Sequence, residues 1–67
     1  MTFGQASENC KLGKIMYIPK YELEVHCHIA TNKNSDYQSY FYYMSNGQRV
    51  KHTFSNYELF SNDWRLK

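Results

Sequence analysis

The chain has 67 residues, with eight Lys and Arg against six Asp and Glu and a formal net charge of +2, so it has length for one domain with a thin core. Leu, Ile, Val and Phe number thirteen, a low share, but the small net charge argues against a disordered chain. No run of 18 apolar residues could form a membrane-spanning helix, and Lys and Arg are not clustered as in a dedicated duplex binder.

Seven Tyr and one Trp supply the apolar area that the aliphatic residues do not. Each phenol oxygen needs water or a partner, so these rings are expected to straddle core and surface. The N-terminus lacks the basic-then-apolar order of a secretory signal, and the expected compartment is the cytoplasm.

In chain order, residues 1–13 place Gly4, Ser7, Asn9 and Gly13 among isolated apolar residues, with no sustained period of helix or strand. They read as a loose, flexible N-terminal arm ahead of a single domain spanning residues 14–67. Residues 14–18 read as a short strand cut by Pro19, which has no backbone donor. Over residues 21–30, Tyr21, Leu23, Val25, Cys27 and Ile29 alternate with Glu22, Glu24, His26, His28 and Ala30, the period of a strand with one buried and one wet face. A polar loop over residues 31–36 follows.

The strongest local signal is Asn46-Gly47, set between patterned runs at residues 37–44 and 49–54. A type I′ turn needs positive φ at both central residues, which Asn and Gly tolerate. If these two form the turn, Ser45 pairs with Gln48, Met44 with Arg49, Tyr43 with Val50, Tyr42 with Lys51 and Phe41 with His52. Phe41, Tyr43, Val50, His52 and Phe54 then share the core face, and Tyr40, Tyr42, Met44, Arg49, Lys51 and Thr53 the other.

Ser55-Asn56-Tyr57-Glu58 is a capping box, with Phe54 and Leu59 at the positions of a hydrophobic staple. A short helix should start there and end by Ser61 to Asp63, with Leu59, Phe60 and Trp64 capping the sheet and Leu66 turned inward. The expected class is α+β, mostly β: a small antiparallel meander of three to four strands with a short C-terminal helix.

Few constellations carry chemistry. Cys10 and Cys27 lack C-x-x-C spacing and read as thiols. His26 and His28, two apart on a strand, project from one face and with Glu24 could approach an ion, but the reading is of exposed histidines with no metal and no cofactor. Cys27 points away from both, no nucleotide or hydrolase motif is present, and a chain this short has little room for an enclosed pocket; the expectation is a protein that is not an enzyme.

The wet face, Tyr40, Tyr42, Met44, Arg49 and Lys51, extended by His26 and His28, is the candidate partner-binding surface. Tyr, Met and Arg are enriched at protein interfaces, which points to a protein-binding module. Rings interleaved with cations equally suit single-stranded nucleic acid, the alternative, although Glu22 and Glu24 oppose it. Tyr is also a good strand former, and an exposed ring face could serve self-association. Abundant Asn, Lys, Tyr, Ile and Phe with only two Ala suit AT-rich coding sequence, hence the expectation of a bacteriophage or mobile-element accessory protein that inhibits or modulates a host protein.

Overall fold

A computed structural model describes residues 1–29 and 39–67. The elements are α1 (Phe3–Lys11), β1 (Met16–Tyr17), β2 (His26–His28), β3 (Tyr40–Ser45), β4 (Gln48–Lys51), α2 (Asn56–Phe60) and β5 (Arg65–Leu66). The fold is α+β with mostly strands: an antiparallel sheet in the order β2-β3-β4 and a two-stranded antiparallel sheet, β1-β5. A single bridge between Met16 and Val25 joins the two, with N–H to O=C distances of 3.0 and 2.8 Å.

Residues 1–13 are not a loose arm. The Thr2 hydroxyl accepts from the Gln5 amide at 3.2 Å, and the Gln5 side chain accepts from the Thr2 amide at 3.0 Å, a capping box that opens α1. Phe3, Ala6, Ser7 and Cys10 lie three or four residues apart and make one helical stripe. Ala6 and Cys10 are fully buried, and Phe3 packs against the core. So short a helix is marginal in water, and burial of this stripe is what stabilises it. At its end Gly13, with φ of +103°, takes the left-handed turn that lets the Gly13 and Lys14 amides reach the Cys10 and Asn9 carbonyls.

The short strand expected before Pro19 exists as β1, whose Met16 is fully buried. The long strand over residues 21–30 does not form as drawn. Ile18 accepts from the Tyr21 amide at 2.9 Å, so the chain turns there, and strand pairing begins at Val25. Val25 is buried and Leu23 and Cys27 pack partly, while Tyr21 and Ile29 are exposed. Ala30, the loop at 31–36 and the first residues of the run at 37–44 lie outside the described residues.

The hairpin has the expected register: Ser45 opposite Gln48, Met44 opposite Arg49, Tyr43 opposite Val50 and Tyr42 opposite Lys51. Asn46 and Gly47 have φ of 52° and 79°, the signs of a type I′ turn. Beyond Lys51, His52 still donates to the Phe41 carbonyl at 2.8 Å.

The capping box at Ser55 and Glu58 is also present and opens α2. Its expected cap over the sheet is not. Leu59 is exposed and Phe60 is 82% exposed, because a helix of five residues can turn only one side inward and Glu58 occupies it. Of the three residues expected to cap the sheet, Trp64 is the one buried, 2% exposed, with its indole N–H donating to the Glu58 carbonyl at 2.7 Å. The Phe3 ring meets Phe54 at 4.8 Å and Trp64 at 5.8 Å, and Phe41 meets Phe54 at 5.3 Å, edge to face in each case. Chain ends meet beside it, where the Trp64 amide donates to the Met1 carbonyl at 3.1 Å.

Candidate interaction face

β3 divides the domain. Phe41 points into the aromatic core, while Tyr40 and Tyr42 point out, as the period of two requires. β2 pairs with β3 so that His26 lies opposite Tyr42 and His28 opposite Tyr40. The seven residues expected to share the wet face, His26, His28, Tyr40, Tyr42, Met44, Arg49 and Lys51, are therefore brought onto one side of one sheet.

Their rings are packed on each other. His26 stacks on Tyr42 with centroids 5.2 Å apart and planes 16° from parallel; His28 and Tyr40 meet at 5.1 Å, and Tyr40 and Tyr42 at 5.9 Å. From β4, the Arg49 guanidinium reaches across the Tyr42 ring, 4.6 Å from its centroid, and its Nη1 lies 3.3 Å from His28 Nδ1. Tyr42 thus has an imidazole on its β2 side and a guanidinium on its β4 side. A hydrogen bond to Tyr40, then the nearness of Tyr42, raises the pKa of Arg49. None of these contacts is with a carboxylate, so among the described residues the charge of Arg49 is held in place without a paired acid. Met44 is half exposed and Lys51 is exposed.

Glu24 pairs with Lys67, Glu8 with Lys11 at 3.3 Å, and Glu58 is buried. Among the described residues, no three His, Cys, Asp or Glu side chains converge as metal ligands. Tyr17, Tyr21, Leu23, Glu24, His26 and Met44 contribute to an open groove of about 590 Å³ beside the face.

On the opposite side of the sheet, His52 takes the core-face position expected of it, partly buried. Its partner is the Glu58 carboxylate, Nε2 to Oε2 at 2.8 Å, both side chains about one-tenth exposed. The carboxylate can only accept, so Nε2 carries the proton and donates. Burial pushes the Glu58 carboxyl up, but the Ser55 amide and His52 together outweigh it and its pKa is lowered. This pair ties the end of the hairpin to α2 and lies under the sheet, away from the face.

Neither thiol is activated. Burial, then the nearby Cys27, pushes Cys10 up to about 11, against a smaller opposing hydrogen bond from the Met16 backbone. Burial raises Cys27 as well, with Lys11 opposing.

A second exposed aromatic patch was not anticipated: Tyr57 of α2 meets Tyr21 edge to face at 5.8 Å, lies under the Lys20 ammonium at 5.0 Å, and adjoins Phe60. The capping box at Ser55 places Tyr57 and Phe60 on a helix in the sequence, but the side they take is opposite Glu58, which is turned inward beside His52 and Trp64. No family model matches this chain, and no curated protein is similar to it.

Proposed function

We propose that the protein is a non-enzymatic protein-binding module that docks on a larger protein through Tyr40, Tyr42, Met44, Arg49 and Lys51, flanked by His26 and His28. The carrying observation is the Arg49 guanidinium, held over Tyr42 and beside His28 but, among the described residues, paired with no acid. A side chain already held in position loses less freedom on binding, and an uncompensated charge on a ring-rich surface gives a partner both contact area and direction. Thiols with raised pKa values fit the non-enzymatic part of this reading. An amino-acid composition of the kind that AT-rich coding produces suits an accessory protein of a bacteriophage or mobile element, which would inhibit or modulate its host target by occupying it.

Single-stranded nucleic acid is the weaker occupant. Base stacking needs a free ring face, and the sides of Tyr42 toward β2 and β4 are taken by His26 and Arg49. The test is affinity capture from the source cell with wild type and with a Tyr42→Ala, Lys51→Glu double variant. The expected result is a captured protein that the double variant loses while its thermal melt stays close to wild type. Equal capture by both proteins would reject the face, and a captured species released by nuclease would favour nucleic acid.

A further inference from the structure

The strand order β2-β3-β4 leaves β4 at an edge of the sheet. In an antiparallel pair, residues alternate between those that exchange hydrogen bonds with the neighbouring strand and those whose backbone groups point away. Because His52 donates to Phe41, its bonded partner across the ladder, Val50 and Gln48 fall in the same phase and spend their amides and carbonyls on β3. The N–H and C=O of Arg49 and Lys51 consequently point outward, and among the described residues nothing pairs with them. The same two residues carry the permanent positive charges of the exposed face.

An outward-facing edge accepts another strand, and its side chains decide which one. A second copy of β4 is a poor occupant: antiparallel pairing centred at Val50 sets Arg49 against Lys51 of the other copy, and centring on either cation sets it against itself. Like charges directly opposite each other destabilise a strand pair, whereas opposite charges stabilise it. Nucleic acid carries the complementary charge but cannot supply a peptide ladder.

Resting on the reading of this face as a protein-binding surface, we propose that the partner contributes an extended acidic segment that adds antiparallel to the edge of β4, the slightly more stable pairing. Its carboxylates, at alternate positions, lie opposite Arg49 and Lys51. In an antiparallel ladder directly opposite residues project from the same face, and those opposite Arg49 and Lys51 exchange both hydrogen bonds with them, so the bonded amides belong to the acidic residues themselves. Lys51 is the nearer cation, because the Arg49 side chain leans inward over Tyr42.

The probe is a capped peptide of alternating Thr and Glu, titrated into the full chain at low salt by fluorescence anisotropy. It is made in three forms: unmodified, N-methylated on the Glu amides, and N-methylated on the Thr amides. The three have equal charge. Methylation at Glu is expected to weaken binding at least tenfold, and methylation at Thr, whose amides face solvent, less than threefold. On the protein side, Lys51→Pro, which deletes an outward donor, should bind at least fivefold more weakly than Lys51→Ala, which removes only the charge. Equal binding of the three peptides, or none by the unmodified one, overturns strand addition even if Lys51→Pro proves unfolded. Loss of captured protein in the Tyr42→Ala, Lys51→Glu variant would in that case leave the protein-binding reading standing with a different mode of docking.

Discussion

The two sides of the β2-β3-β4 sheet are both built of rings. Under the sheet, Phe3, Phe41, Phe54 and Trp64 meet edge to face and shed water; above it, His26, His28, Tyr40 and Tyr42 stack on one another with a guanidinium among them and remain partly wet. Aromatic packing alone therefore does not separate core from surface here. The atoms at the ring ends do: phenylalanine has none that need water, the single indole N–H is satisfied by the Glu58 carbonyl, and the phenols and imidazoles of the upper side keep access to solvent or to Arg49. The lower cluster should carry stability and the upper one should be nearly free to change.

The largest break in that comparison is expected from Trp64→Ala. Removing a large buried side chain costs about 3–5 kcal/mol, against a total of roughly 3–10 kcal/mol for a domain of this length. The melt of this variant by circular dichroism should show the largest loss of the variants compared, roughly a third or more of the total stability. Next is Phe3→Ala, at about 2–3 kcal/mol because the ring is only partly buried. Its denaturant midpoint separates a packed α1 from a loose arm, since truncation in a loose arm would leave the midpoint unchanged.

A smaller effect belongs to Glu58 and reads out in pH. Its folded pKa is lowered, so its contribution is complete above the ordinary carboxylate range and is lost as pH falls through the lowered value. The wild-type melting temperature should drop on acidification below about pH 4.5. Glu58→Gln should show a flatter acid limb and, at neutral pH, a loss of about 2 kcal/mol. The smallest change in stability, under about 1 kcal/mol, is expected for Tyr42→Ala with Lys51→Glu. A loss comparable to that of Phe3→Ala would show that the upper rings hold the fold as well.

How far these features could be read from the residues alone depended on how local their causes are. The type I′ turn and the capping box at Ser55 are settled within four residues, and each appears with its expected partners. By the same rule α1 was open to recognition: Thr2-Phe3-Gly4-Gln5 is the same box, and Phe3, Ala6, Ser7 and Cys10 are a helical stripe. That stripe hides because Ala, Ser and Cys are only weakly apolar, so its period shows in burial rather than in hydropathy. Phe60 misleads in the opposite way, being strongly apolar yet 82% exposed.

Sequence by itself determined the hairpin, its register and hence which of its side chains share the upper face, because a two-residue turn leaves no freedom in the count. Only the tertiary structure decided that α1 closes the core, that Glu58 turns inward to meet His52 while Phe60 turns out, and that Arg49 lies across Tyr42 with no acid paired to it among the described residues. Those outcomes rest on contacts between segments far apart in the chain, where the energy of a site depends on what arrives from elsewhere and no local pattern records it.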